Sequence, residues 1–237
     1  MSLLTLIQDV SKLIGLESPT LVTSSQDKRV LELLVMANTS GEELSTRYEW
    51  QELIRQASFT CTGTIAQGTI DSSTIASGFG RIVDDTFWNF TTREKIEGPV
   101  TFQEWQSDRA SGIVSPPYKS ILIDNVLYVG PVAPAAGGTL GFFYVLNGWC
   151  RSTGGTVQTA FAADTDTTLI PERLFKLDLV WRWKQSKGLA YSEDMETAER
   201  EIEKYIGQNT GRRVLYIGGA PIYYFADNVP AGNWPSS

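Results

Sequence analysis

Apolar side chains at Leu3, Ile7, Val10 and Ile14 fall on one face of a helical repeat, with polar residues between them, so the chain opens with an amphipathic helix capped by Ser2 and stopped at Gly15. A loop through Pro19 follows. Ser24 and Asp27 have the spacing of a capping box, and Val30, Leu33, Leu34, Ala37 and Leu44 mark the buried face of a longer second helix. Gly41 weakens the middle of that helix by about 1 kcal/mol relative to Ala, which points to close backbone packing there. From about Ala57 the helical repeat gives way to short apolar runs between turn residues. Strands are predicted at 58–62, 81–83, 118–123, 126–129 and 140–145, with Asp124-Asn125 as a tight hairpin turn and a short helix after Thr101-x-x-Glu104.

Helical spacing returns at Pro171, whose fixed φ suits the first position of a helix. Leu174, Leu177, Trp181 and Lys184 continue that helix, Phe175 and Leu179 widen its apolar face, and Gly188 ends it. Ser192 starts another, with Glu193 and Asp194 in the first turn and Met195, Ala198, Ile202, Tyr205 and Ile206 as the buried stripe. After Gly211 a strand-like run at 212–217 precedes a mixture of aromatics and breakers. The expected fold is α+β: a four-helix unit from the N- and C-terminal parts, interrupted by a β-rich inserted domain, with an extended C-terminal arm. The expected divisions are 1–56 (helical, first part), 57–167 (β-rich insertion), 168–210 (helical, second part) and 211–237 (arm).

Composition narrows the chemistry. The 237 residues include no His, which removes Ser-His, Cys-His and His-metal arrangements and leaves carboxylates, Lys or Tyr as general bases. Twenty Lys and Arg against 27 Asp and Glu give a net charge of -7, which disfavours tight nucleic-acid binding. Cys61 and Cys150 form no metal-clamping CxxC and are too few for a disulfide scaffold, so a reducing compartment is expected. The first residues lack a basic stretch and suit a helix better than a leader, and no run is apolar enough to span a bilayer. The sequons at Asn38 and Asn89 are then chance matches.

Two acidic pairs invite a glycosidase reading, Asp84-Asp85 and Asp164-Thr165-Asp166, against the plainer one of strand ends and turns. Asp164 and Asp166 lack the Gly and distal Glu of an EF-hand loop. Gly137-Gly138 leads into a strand, whereas phosphate-cradling loops lead into a helix. The basic cluster Arg182-Trp183-Lys184-Gln185-Ser186-Lys187 reads better as a helix C-terminus than as a base-stacking platform. Glu193, Glu196, Glu199 and Glu203 read as the solvated face of the last helix. In the arm, Tyr216, Ile222, Tyr223, Tyr224, Phe225 and Trp234 are aromatic and apolar where termini are usually polar, so the arm either folds back on its own chain or is ordered by a neighbour.

Several ordered motifs resemble those of the head-to-tail adaptor (connector) proteins of tailed bacteriophages. They are Tyr48-Glu49-Trp50; Phe79 to Ile82 with Asp85-Thr86-Phe87-Trp88-Asn89; Gly98-Pro99 with Glu104-Trp105-Gln106; and Asp164-Thr165-Asp166-Thr167 running into Ile170-Pro171-Glu172-Arg173-Leu174, then Trp181-Arg182-Trp183-Lys184 and Gly188-Leu189-Ala190-Tyr191. The resemblance covers about residues 3 to 206. Asp178 departs from it, where a small residue is usual. The resemblance implies a structural virion protein without catalytic residues, metal or cofactor. It would be assembled in the host cytoplasm into a ring, of twelve copies in that family, at the virion neck. The ring would sit below the portal protein and hold tail or nozzle proteins, with double-stranded DNA passing through its lumen and no membrane partner. On this expectation the six apolar arm residues contact the portal, and the four glutamates line the lumen or face a neighbouring subunit. The alternative, suggested by 7 Trp and the acidic pairs, is a β-rich carbohydrate-binding or carbohydrate-cleaving module of a phage tail.

Overall fold

The computed structural model describes residues 1–71, 73–111 and 118–209. The arm residues Tyr216, Ile222, Tyr223, Tyr224, Phe225 and Trp234 lie outside the described residues. The chain is mixed α+β. Helix α1 (Leu3–Leu13) is capped by Ser2, as its spacing predicts, and buries Leu3, Leu6, Ile7 and Val10. Helix α2 (Lys28–Arg47) corrects the capping expectation: the cap is Asp27, whose carboxylate accepts from the Arg29 N–H at 2.9 Å, not Ser24. Such a cap contributes about 1 kcal/mol. Leu34 is only half-buried, whereas Ser40 and Gly41 are fully inside.

After a short 3-10 turn at Gln51–Leu53 come β1 (Ile54–Thr60), β2 (Ala66–Thr69), β3 (Phe79–Ile82), β4 (Trp88–Asn89) and β5 (Glu94–Glu97). The β region therefore starts at Ile54, ahead of the expected Ala57. Helix α3 (Phe102–Ser111) begins at Thr101, whose hydroxyl accepts from the Glu104 N–H, and it seats Trp105 against Gly130. Strands β6 (Tyr118–Ile123) and β7 (Val126–Gly130) form the expected hairpin, with Asp124 and Asn125 both at positive φ, 49° and 61°. Strand β8 (Thr139–Leu146) completes the larger sheet, in the order β1-β8-β4-β5-β6-β7-β2, with β3 also paired to β8. Three two-residue strands, β9 (Cys150–Arg151), β10 (Val157–Gln158) and β11 (Thr167–Thr168), make a second sheet that the apolar pattern does not show.

Helices α4 (Glu172–Ser186) and α5 (Ser192–Asn209) pack against each other and are joined through Gly188 at φ +68°. Pro171 is the cap of α4, not its first turn. The buried face of α4 is also rotated from the expected one: Leu174, Phe175, Asp178, Leu179 and Trp183 point inward, and Leu177 and Trp181 lie at the margin. The reason is a charged residue, Asp178, in the middle of the buried stripe.

Two apolar clusters result. One gathers Leu6, Leu33, Leu44, Trp149, Phe175 and Ile202 from α1, α2, α4, α5 and the stretch after β8. The other gathers Ala57, Phe59, Leu127, Leu140, Phe142 and Tyr144 within the larger sheet. Gly41 is the close approach between α2 and the rest, because a Cβ there would run into the indole of Trp149. Trp149 itself is wedged by Phe161 and Phe175 at ring distances of 4.7 and 5.5 Å.

Candidate functional site

The four singled-out glutamates all stand on α5, but they do not share one environment. Glu193, Glu196 and Glu203 are exposed, and among the described residues none of their carboxylates has a cationic partner. Arg200 is exposed on the same face, and Lys204 sits at its margin, 3.8 Å from Glu201. Glu199 is turned aside and receives both terminal nitrogens of Arg47 on α2, at 3.0 and 2.6 Å. The two residues are far apart in sequence, so no local spacing could reveal this pair. Glu199 thus joins α5 to α2 and is half withdrawn from the strip formed by the other three.

The basic cluster at the end of α4 is spent inside the fold. Arg182 donates from Nε to Asp178 at 2.6 Å and from both terminal nitrogens to Glu43 on α2, and its guanidinium lies 4.6 Å from the centre of the Trp181 ring. Asp178, 1% exposed, also accepts from the Ser40 hydroxyl at 2.5 Å and the Trp181 indole N–H at 2.9 Å. Lys184 pairs with Asp194 and Lys187 with Glu32, both at 2.5 Å. Trp183 is buried. The cluster is therefore a set of ties between α2, α4 and α5, and presents no free cationic face to a phosphate backbone.

The acidic pairs also resolve into structure. Asp164 accepts from the main-chain N–H groups of Val22 and Thr23 at 3.0 and 2.7 Å and from the Thr23 hydroxyl at 2.8 Å. Burial works to raise its pKa, but these hydrogen bonds outweigh it and hold the carboxyl below the usual carboxylate range. Asp166 accepts from the N–H groups of Ala162 and Ala163, both at 2.8 Å. The Asp164 and Asp166 carbonyls take the first amides of α1, from Leu4 and Leu3. Both side chains are turned to holding loops, and the main-chain carbonyls of the same residues hold the start of α1. Asp85 sits at φ +62° in a turn and pairs with Lys95 at 2.7 Å.

Cys61 and Cys150 are free and buried. Burial, with Asp166 nearby, pushes the Cys150 thiol up to about 12. Gly137 is at φ +83° in a turn, exchanging main-chain hydrogen bonds with Cys61 through Gly137 N–H and Gly138 C=O. Among the described residues no group of three or more acidic or cysteine side chains is placed to hold a metal ion, and no helix is long and apolar enough to cross a membrane.

The outer face of the larger sheet carries a feature that the apolar pattern does not single out. Trp88, Phe90 and Phe143 line a shallow groove of about 300 Å³ floored by Gly141, with Gln56, Asp85 and Thr86 on its rim. Gly141 is required there, because a Cβ would meet the Phe90 ring at 2.5 Å. The outward alternation of β8 exposes Phe143, and that period was readable; the return of Phe90 over the strand was not. Compared with models of known protein families and with characterised proteins, the chain matches none.

Proposed function

We propose that this chain is a head-to-tail adaptor of a tailed phage, a ring-forming structural protein of the virion neck that sits below the portal and lets DNA pass. The proposal includes its architecture, with α1, α2, α4 and α5 as one four-helix unit and 54–168 as the β-rich insertion within it. One observation carries it beyond the motif resemblance. Among the described residues the basic cluster at 182–187 and the Asp164 and Asp166 carboxylates are consumed in joining helices and loops, and the strip of Glu193, Glu196 and Glu203, with Arg200 among them, is left outside as a net acidic face. A strip of that sign, facing a lumen, keeps DNA moving, whereas free Lys and Arg would hold it by counterion release. Facing a neighbour, it needs a basic counterpart on that subunit.

The test is to mix the full chain with portal rings and image the product. The expected result is a collar of twelve copies on one face of the ring, formed by wild type and impaired by Glu196→Lys with Glu203→Lys. Unchanged sedimentation of both components would refute the reading. The groove of Trp88, Phe90 and Phe143 favours a second one, in which aromatic walls with polar neighbours stack a sugar ring. Glycan-array binding lost on Phe143→Ala, with no affinity for portal rings, would establish that instead.

A further inference from the structure

Helix α5 carries charge of opposite sign on its two flanks. Glu199, paired with Arg47, marks the flank beside α2, and Glu196 and Glu203 lie on the same side, three residues before it and four after it. Both are exposed, and among the described residues neither has a cationic partner. The other flank is marked by Glu201, which takes Arg173 Nε from the first turn of α4 at 3.2 Å. Lys204 reaches the second oxygen of that carboxylate only at 3.8 Å. Two cations thus share one acid, and this flank is left net positive. The cations keep 74% and 61% of their side chains exposed against 21% for Glu201, so the positive charge faces outward. It borders a groove of about 270 Å³ between α4 and α5, to which Pro171, Leu174 and Tyr205 contribute. Arg200, exposed, stands on the ridge between the flanks.

We propose that α5 is the seam between copies of this chain, with the Glu196 and Glu203 flank of one copy entering the groove at Arg173 and Lys204 of the next. Resting on the ring reading above, this gives the acidic strip to a neighbouring subunit and not to the lumen. Charge complementarity selects a second copy as the occupant, since one molecule presents both acids without a cation and cations without enough acid. Glu196 and Glu203 are seven residues apart, two helical turns or about 10 Å, so the contact is a stripe along the helix and not a single point. The two patches are different surfaces on opposite flanks. A copy joined through one still offers the other, which is the arrangement that passes from copy to copy and closes as a ring. Glu199 stays with Arg47 and fastens the seam helix to its own subunit.

The test is sedimentation velocity of the full chain over a concentration series at low and high salt. Wild type should form species larger than dimers, and these should recede as salt rises. The double variants Glu196→Lys with Glu203→Lys, and Arg173→Glu with Lys204→Glu, should each raise the concentration needed for half-assembly at least ~10-fold, because attractive pairs become repulsive ones. Mixed in equal amounts, the two variants should assemble again in alternation, since each reversed flank then meets its opposite. Recovery on mixing excludes misfolding as the cause of either loss. Wild type that stays monomeric throughout, growth that stops at two copies, variants that assemble like wild type, or mixed variants that stay apart would each overturn the seam. The collar on portal rings decides the ring reading separately, so a collar that survives both reversals removes this seam and leaves the ring.

Discussion

Replacing Asp178 with Ala should cost more than replacing Ser40 or Glu43, the α2 residues of the same network. The carboxylate takes three hydrogen bonds, from Ser40, Trp181 and Arg182, and is almost sealed from water. Its removal leaves the Ser40 hydroxyl and the Trp181 indole unsatisfied, and leaves Arg182, 17% exposed at the side chain, with Glu43 alone. Breaking a buried pair costs about 3–5 kcal/mol, and because Arg182 keeps Glu43 the expected loss is near the lower end, about 3 kcal/mol. Ser40→Ala removes one bond to a charged acceptor, about 1.5 kcal/mol. Glu43→Ala removes a partner that is half exposed, at most about 1 kcal/mol. Urea unfolding followed by tryptophan fluorescence measures all three. With an m value of about 3 kcal/mol/M, the Asp178→Ala midpoint should drop by roughly 1 M with no change in slope. Asp178→Leu combined with Arg182→Leu should recover much of the loss, because no buried charge is then stranded. A Glu43→Ala variant less stable than Asp178→Ala would refute the reasoning.

Three further outcomes follow from the packing and titration. Gly41→Ala gains helix propensity of about 1 kcal/mol but drives a methyl into the wedged indole of Trp149, so a net loss of up to about 2 kcal/mol and a shifted tryptophan emission are expected. Asp164 is held below its ordinary pKa by Val22 and Thr23, so its contribution is complete above about pH 4 and disappears as pH falls through the folded-state value. Asp164→Asn should therefore lower stability at neutral pH and flatten the acid limb of a stability-against-pH curve. Cys61 and Cys150 should resist a thiol reagent in the native protein and react at the rate of opening, and immediate modification of either would contradict their burial.

Much of this was legible where one physical rule acts locally. Asp124-Asn125 announced its hairpin because both residues accept positive φ, and Ser2 announced the start of α1 because its hydroxyl can reach the third residue on. Gly41 was legible too, since a helix tolerates glycine mid-length most readily where something presses against it. The strands β2, β4, β5 and β9 to β11 were not, because two to four residues are too short for an alternation to register. Asp178 hid the true inward face of α4, since a carboxylate reads as solvent-facing until its partners on α2 and α4 are known. The acidic strip was named from spacing, but Glu199 belongs partly to Arg47, and only the fold brings them together. The role of Asp164 as a loop holder depended likewise on amides of a distant segment, Val22 and Thr23, whereas Asp166 takes the local amides of Ala162 and Ala163.

Strand β8 has a consequence for how the molecule bears load. Its Leu140, Phe142, Tyr144 and Leu146 enter the cluster of the sheet, its Val145 enters the cluster of the helices, and the chain then runs directly into Trp149 at the heart of the latter. The strand is a party wall: neither room can be gutted while the other stands. The two halves should melt in a single cooperative step, and a pull applied to the helices should arrive at the sheet undiminished.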